Sequence, residues 1–361
     1  MTMKALNIVI ACGGTGGHLF PGIAVAQQLR KQGHRPILLI SRKEVDAEAS
    51  SKYGDLEFHS IPAIAKPPTL SLRMPAFLWK LFTTYMNCKS LLRREKADAV
   101  LGMGGFTSLP PCKAAHALGL RSYVHDSNAM PGKSNRLTAR WCTKVLVGMK
   151  EAVQHFPGSS CAVVGTPVRD EIRNLPSQAE ARERLGLPAE GPVILVTGGS
   201  QGARNLNSML IEAAKADPGV HYLVIAGRLD YERVNALAGG APNITVLGFC
   251  SDMPAAYAAA DGVIARSGAS TLTELSIIGK ASLLVPFPFA ADDHQTHNAR
   301  AFSDHGAAVL IQQADLTTEK VHDFVHHTVL NPTAREAMET AMRSLSRPDA
   351  AADIARTILG E

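Results

Sequence analysis

Short apolar, β-rich runs alternate with helical patterns along the whole chain, and nothing constrains its folding more. In the first half the runs are Leu6–Ala11, Pro36–Ile40, Ala99–Leu101, Ser122–His125 and Lys144–Val147, with helical patterns such as Gly22–Gln32 and Pro111–Leu118 between them. In the second half they are Val193–Thr197, Tyr222–Ala226, Ile244–Leu247, Gly262–Ala265, Ser282–Val285 and Ala307–Ile311. Strands spaced by helices of about 10–15 residues form βαβ units and hence parallel sheets. Eleven strands are too many for one ordinary sheet. The expected class is α/β, with two doubly wound Rossmann-like domains, and 361 residues are enough for both. With 46% apolar and 19% charged residues, each half can bury a core and global disorder is excluded.

The seam is expected at Val164-Gly165-Thr166-Pro167-Val168-Arg169, where Gly and Pro punctuate the chain and the charge balance changes sign. This gives domains 1–164 and 165–340, followed by terminal helices over Arg335–Leu359 broken at Pro348. Residues 1–164 carry 21 Lys/Arg against 9 Asp/Glu, a net of +12; residues 165–361 carry 16 against 23, a net of −7. A basic half joined to an acidic half points to an anionic partner for the first, either nucleic acid or a membrane surface. No apolar run reaches the roughly 18 residues of a transmembrane helix. Leu6–Cys12 is too short for a secretory core and leads into a glycine-rich turn, so it is read as strand one. The six cysteines contain no C-x-x-C pair, and their scatter suits a reducing cytosol.

Four glycine-rich turns follow candidate strands, at the carboxyl ends where ligands bind in open α/β sheets. The first, Gly13-Gly14-Thr15-Gly16-Gly17-His18, precedes a helix expected to begin near Pro21. Glycines let backbone approach an anion, and a helix N-terminus aims N–H groups at it. The nicotinamide fingerprint is incomplete: Leu19 takes its third glycine position, and Ser41-Arg42-Lys43 stands where the acidic ribose ligand belongs. The others are Gly102-Met103-Gly104-Gly105-Phe106, Gly198-Gly199-Ser200-Gln201-Gly202-Ala203-Arg204 and Arg266-Ser267-Gly268-Ala269-Ser270-Thr271-Leu272-Thr273-Glu274. Glu274 is placed to accept from ribose hydroxyls, and the competing reading is a plain helix cap with a first-turn acid. No metal-ligating motif occurs, and His322, His326 and His327 read as a solvated helix face. Trp79 and Phe82, three apart, suit a core stripe.

These turns occur in order with Phe20-Pro21, His125-Asp126-Ser127-Asn128 and Gly165–Arg169. In this the chain resembles the bacterial N-acetylglucosaminyltransferases of peptidoglycan synthesis, over about residues 5–310. The resemblance implies the glycosyltransferase B architecture, two Rossmann-like domains facing a cleft, with the last helix (about 341–361) returning to the first domain. It implies transfer of N-acetylglucosamine from UDP-N-acetylglucosamine to lipid I, the undecaprenyl-pyrophosphoryl-muramoyl-pentapeptide, giving lipid II with inversion and with neither cofactor nor metal. It places Ser200 and Arg169 near the donor diphosphate or sugar, and the Cys250 backbone beside Phe249 at the uracil. Ala269, Ser270, Thr271, Leu272, Thr273 and Glu274 would wrap diphosphate and ribose, and Gln295 and Asn298 would read sugar hydroxyls. Thr15, Gly16, Gly17 and Asn128 would complete the site. Departures from the family pattern are Asp126 for Glu, Phe106 for Tyr, Leu109 and Pro111 for glycines, and His294 for a frequent Gln.

Inverting transfer needs a base for the acceptor hydroxyl and stabilisation of departing UDP. Helix N-termini and Arg169 suit the second task. For the first, His18 is the leading candidate because imidazole titrates near working pH, with a loop-holding role as its alternative. Asp126 is the second candidate, against a turn-capping carboxylate. Lys66, Arg73, Lys80, Lys89, Arg93, Arg94 and Lys96 interleave with Leu72, Phe77, Leu78, Trp79, Leu81 and Phe82. That mixture suits peripheral docking on anionic lipid at the cytoplasmic face of the inner membrane, or an ordinary amphipathic helix. Nucleic acid is disfavoured for want of a binding motif. Other cell-wall synthesis proteins are possible partners. Rival readings are a transferase for another lipid such as diacylglycerol, an inert UDP-sugar-binding protein, and a UDP-N-acetylglucosamine isomerase.

Overall fold

The computed structural model describes residues 4–41, 53–62, 72–198 and 204–361. Two compact units are present: Met1–Arg169 with Arg347–Glu361, and Asp170–Ser346. The divide falls after Arg169 and not at 164. Gly165 is the reason: its carbonyl accepts from His125 Nε2 at 2.8 Å, and Arg347 and Ala350 close over its α-carbon. The 165–169 stretch therefore remains with the first unit.

The first unit's sheet is all parallel, in the order β3-β2-β1-β4-β5-β6-β7. Its strands are β1 (Asn7–Ala11), β2 (Arg35–Ile40), β3 (Glu57–Ser60), β4 (Ala99–Gly102), β5 (Arg121–Asp126), β6 (Lys144–Val147) and β7 (Cys161–Val163). Side chains alternate across it, as strand geometry requires. Ile8 and Ile10 face a core with Leu19, Ile23, Leu101, Ile354 and Ile358, whereas Val9 and Ala11 face Cys88, Leu92 and Cys112 on the other side. The helix Ala350–Leu359 thus completes the first unit's core.

The second unit's sheet, also parallel, runs β10-β9-β8-β11-β12-β13. Its strands are β8 (Val193–Thr197), β9 (His221–Ile225), β10 (Ile244–Leu247), β11 (Gly262–Ala265), β12 (Ser282–Leu284) and β13 (Val309–Leu310). In both sheets the strand order reverses beside the first strand, between β1 and β4 and between β8 and β11. Crevices at such switch points are where open α/β sheets take ligands, and all four glycine-rich turns leave from these four strands.

Two edge strands escape the sequence pattern. Glu57–Ser60 is Glu-Phe-His-Ser, half exposed and without an apolar run, and Cys161–Val163 has three residues. The first helix, Gly16–Lys31, begins well ahead of Pro21, which lies inside it. Proline's missing N–H removes one intrahelical bond there without preventing the helix from starting upstream. Close helix-to-sheet packing comes from Gly22: a Cβ on it would stand 2.4 Å from Cys12 Cβ.

Gly22→Ala should therefore cost about 1–3 kcal/mol through overpacking. Gly132→Ala, where an added Cβ meets nothing within 4 Å, should change stability by less than about 0.5 kcal/mol. Urea unfolding followed by tryptophan fluorescence tests this in the right unit, because Trp79 and Trp141, the chain's two tryptophans, both lie in the first.

Candidate active site

The turn after β1 is held by backbone contact. Gly13 admits no side chain, since a Cβ would lie 2.2 Å from Ser41 N, and its carbonyl accepts from Thr107 Oγ1 at 2.9 Å. Thr15 is the N-cap residue of the Gly16–Lys31 helix, but its hydroxyl bonds the His18 ring at Nδ1, 3.2 Å away, and caps no backbone N–H. Gly16, Gly17 and His18 form the first turn, which carries no acidic side chain. Its positive end is left uncompensated, as an anion site requires.

The half-buried His18 imidazole lies on the second glycine turn. A Cβ on Gly104 would stand 2.9 Å from His18 Nε2, and one on Gly105 3.3 Å from Cε1. Both glycines also have positive φ, +120° and +72°, so conformation and contact each demand glycine. Ser108 Oγ ties the turn by accepting from Gly104 N at 2.9 Å and donating to Gly104 O at 2.8 Å. Next to it, Phe106 meets Phe77 edge to face, with centroids 5.8 Å apart. Arg169 is assigned to the first unit, its guanidinium 5.2 Å from the Phe20 ring.

Asp126 ends β5, 3% exposed, and its carboxylate is fully engaged. One oxygen accepts from Asn128 N (2.9 Å) and Asn128 Nδ2 (3.2 Å), the other from Gly132 N (3.1 Å) and Asn135 Nδ2 (2.7 Å). That is the turn-capping arrangement. Asn135, which no motif singled out, links this loop to the second turn: its Nδ2 also donates to His125 O and its Oδ1 accepts from Gly105 N at 3.1 Å. His125 is completely buried. Because Nε2 donates to Gly165 O, the bare nitrogen is Nδ1, which has no partner. Burial pushes this imidazole below the ordinary histidine value, outweighing the Gly165 carbonyl and the Asp126 charge, and the neighbouring His18 adds to the lowering.

In the second unit the helix Ala269–Ile278 starts from Gly268 with no side-chain cap and no acid in its first turn. Glu274 stands further along, its Oε2 accepting from the buried Tyr257 hydroxyl at 2.8 Å. The reading of this segment as a cap with a first-turn acid is therefore removed. Leu272 and Thr273 point inward, while Ser270 and Thr271 are half-buried. Gln295 and Asn298 lie on the helix His294–Ser303 and bind the turn: Ser267 Oγ donates to Gln295 O at 2.8 Å, and Asn298 Nδ2 donates to Ser267 O at 3.1 Å. Asn298 is fully buried, and Gln295 Oε1 accepts from Phe287 N. Arg266 is buried too, donating to Val285 O and Pro286 O, and desolvation lowers its guanidinium to about 10. Cys250 is buried, which pushes its thiol up, beside an exposed Phe249 capped by Arg228 at 4.5 Å. Ser200, and with it most of the third turn, lies outside the described residues, as do Lys66, Arg42 and Lys43.

The helix Met74–Arg94 corrects one expectation. Trp79 and Phe82 are not core: they are 68% and 53% exposed, in a stripe with Leu78 and Met86. Phe77 and Leu81 are the half-buried members. His326, read as solvated, in fact meets Asp217 at 2.9 Å and stacks on His322.

Residues 8–147 match the glycosyltransferase family 28 N-terminal domain, and residues 193–354 match the glycosyltransferase family 28 C-terminal domain. The chain belongs to glycosyltransferase family 28. It is 36% identical over 372 aligned positions to a Desulforudis audaxviator UDP-N-acetylglucosamine–N-acetylmuramyl-(pentapeptide) pyrophosphoryl-undecaprenol N-acetylglucosamine transferase, covering 99% of each. The Myxococcus xanthus enzyme of the same name is 35% identical, over 97% of this chain and 91% of the other. Among solved structures, Acinetobacter baumannii MurG superposes with a TM-score of 0.79 at 30% identity, covering 99% of this chain and 100% of that one. A Neisseria meningitidis UDP-GlcNAc 2-epimerase, TM-score 0.69 at 14% identity, shares the fold. The family-28 chain therefore has two glycosyltransferase B-like α/β units, and it is a glycosyltransferase.

His125 gives the first unit a pH dependence. Its folded value lies below that of the unfolded chain, so the unfolded chain binds the proton more readily and stability rises with pH. The contribution is complete above the ordinary value of 6.5 and is lost as pH falls toward the folded value. His125→Gln, which keeps a donor for Gly165 O, should show a flatter decline in urea midpoint between pH 7.5 and 5 than the wild type.

Proposed function

We infer that the protein transfers N-acetylglucosamine from UDP-N-acetylglucosamine to lipid I, forming lipid II. The observation that carries this is end-to-end similarity to the lipid II-forming transferases, 36% and 35% identical, on a structure with glycine turns at both switch points. It favours this reading over a diacylglycerol transferase, an inert binding module or an isomerase, since the epimerase likeness extends only to the fold.

In the second unit, the acid-free N-terminus of Ala269–Ile278 is assigned to the donor diphosphate, where it stabilises charge on departing UDP. Glu274, oriented by Tyr257, takes the ribose hydroxyls, and the Cys250 backbone takes the uracil edge. Gln295 is assigned to the sugar, and the buried Asn298 to positioning the Ser267 turn. In the first unit, His18 is assigned as the base for the acceptor hydroxyl, oriented by Thr15 and by the backbone of Gly104 and Gly105. Asp126, with every oxygen engaged, positions Asn128 and the loop and is not the base. Arg169 and the first turn of Gly16–Lys31 supply further positive potential.

The stripe Leu78, Trp79, Phe82 and Met86 is assigned to docking on an anionic lipid surface, where the acceptor resides. Arg73, Lys80, Arg93 and the half-buried Lys89 accompany it on the same helix or its first residues, and each basic group near such a surface contributes roughly 1 kcal/mol. None of the described helices is long and apolar enough to cross a membrane. The exposed stripe is what supports assigning peripheral attachment, and the cytoplasmic face is part of the same proposal.

UDP release from UDP-N-acetylglucosamine with a short-chain lipid I analogue tests the assignment. The expected result is acceptor-dependent release with a disaccharide product. Release only with diacylglycerol, release without acceptor, or binding without turnover would establish one of the rivals instead. His18→Ala should lower kcat about 10²–10⁴-fold while UDP affinity by calorimetry is unchanged; a loss below tenfold in a folded variant overturns its role as base. Trp79→Glu with Phe82→Glu should weaken binding to phosphatidylglycerol vesicles about tenfold or more, because burying one such ring is worth about 2 kcal/mol. Activity on the soluble acceptor should be retained.

A further inference from the structure

The loop between β12 and the helix His294–Ser303 is tied at both ends to the turn that opens the helix Ala269–Ile278. Arg266 donates to Val285 O and Pro286 O, Ser267 Oγ donates to Gln295 O, and Asn298 Nδ2 donates to Ser267 O. Inside the loop two tight turns follow one another, with Ala290 N donating to Phe287 O at 3.1 Å and Asp293 N to Ala290 O at 3.0 Å. Asp292 and Asp293 then take left-handed backbone, with φ of 52° and 50°. Residues other than glycine rarely do so, and such outliers gather at ligand clamps.

The first two residues of the helix His294–Ser303 fold back onto this loop, and the loop backbone fixes the polarity of each. The Phe287 N–H can only donate, so the Gln295 atom that meets it at 2.9 Å is the oxygen Oε1, and Nε2 is left as a donor. The Ala291 carbonyl can only accept, so His294 Nδ1, 2.8 Å away, carries the proton, and in the neutral ring Nε2 is left as a bare acceptor. Both side chains are half-buried, and neither Nε2 atom bonds another described residue.

We propose that Gln295 Nε2 and His294 Nε2 together read one hydroxyl group of the transferred sugar, whose oxygen accepts from Gln295 while its O–H donates to His294. A hydroxyl is donor and acceptor at once and fits such a pair, whereas a phosphate, a carboxylate or an ether oxygen has no proton to give His294. Position along the sheet agrees. Cys250 follows β10, the helix Ala269–Ile278 follows β11 and this loop follows β12, in a sheet ordered β10-β9-β8-β11-β12-β13. The groups assigned to uracil and diphosphate and this sugar contact therefore follow the order in which a nucleotide sugar carries those parts. The inference rests on the donor assigned above, and it adds His294 as a specificity-determining residue.

The test measures, by calorimetry on the full-length protein, the ratio of UDP-N-acetylglucosamine affinity to UDP affinity. Effects on the uridine diphosphate that both ligands share cancel in that ratio. His294→Asn keeps an N–H where Nδ1 stands, for Ala291 O, but has nothing at Nε2. Gln295→Glu keeps an oxygen for Phe287 N but replaces the outward donor by an acceptor. Each should lower the ratio about tenfold or more, because a polar partner is left unpaired. A purely structural role for these side chains, met by the retained loop contacts, would leave it unchanged. His294→Gln, whose amide oxygen can stand near the position of Nε2, should recover most of the loss. Donors lacking single hydroxyls should include one that binds wild type about tenfold more weakly and is weakened no further in either variant. These donors need no variant, so the proposal stays testable where one folds poorly. An unchanged ratio in His294→Asn or Gln295→Glu, equal losses in His294→Asn and His294→Gln, or full binding of every deoxy donor would each overturn it. Failure of the wild type to bind UDP-N-acetylglucosamine would overturn the donor assignment beneath it, a result distinct from all of these.

Discussion

Asn135 is a single buried amide that two chain segments share, the second glycine turn and the end of β5. Its oxygen receives the Gly105 N–H, and its nitrogen supplies the His125 carbonyl and the Asp126 carboxylate. Each of these is a strong polar group inside the protein, where an unmade hydrogen bond costs about 1–3 kcal/mol. The amide therefore fixes where the second glycine turn sits relative to β5, and through that turn where the His18 ring can lie. Asp126 depends on the same residue, since one of its four hydrogen bonds comes from it. Because the network is fully satisfied on its Asp126 side, it holds one geometry and resists others.

The two units apply one device to different ends. Each sheet reverses its strand order beside its first strand, and each opens an acid-free helix N-terminus at that reversal. In the first unit the turn is tightened by glycines in direct contact with neighbouring backbone, as at Gly13 against Ser41. In the second it is tightened by side chains: Arg266 on two carbonyls, Asn298 on Ser267, Tyr257 on Glu274. A backbone-built pocket suits an anion met from outside, and a side-chain-built pocket suits a ligand whose several hydroxyls must be told apart.

Most of the fold was legible because central parallel strands are continuous apolar runs, and such runs stand out in a chain of this composition. The edge strands were not, since Glu57–Ser60 is polar and faces solvent and Cys161–Val163 is too short to carry a period. Pro21 misled because proline marks helix starts only on average, and here the start is set by Thr15. Trp79 and Phe82 misled in the opposite sense: a helical apolar stripe says only that one face is apolar, and not what covers it. Glycines of the turns announce themselves because few other residues fit. Asn135 and Tyr257 did not, because an asparagine inside a helix and a tyrosine in an alanine-rich one have no local signature. Their roles exist only once Gly105 and Glu274 have been brought beside them.

The chain leaves the first unit at Arg169 and rejoins it at Arg347, and Ile354, Ala355 and Ile358 then fill the space beside Leu19 and Ile23. During synthesis on the ribosome this inverts the usual order of maturation. Residues 170–346 form one uninterrupted stretch and have everything they need as soon as they emerge. The first unit, although made first, must wait with part of its apolar interior uncovered until residues 350–359 have been translated. The half of the molecule with the exposed aromatic stripe is therefore the last to close, and it is the half most in need of protection while the ribosome is still at work.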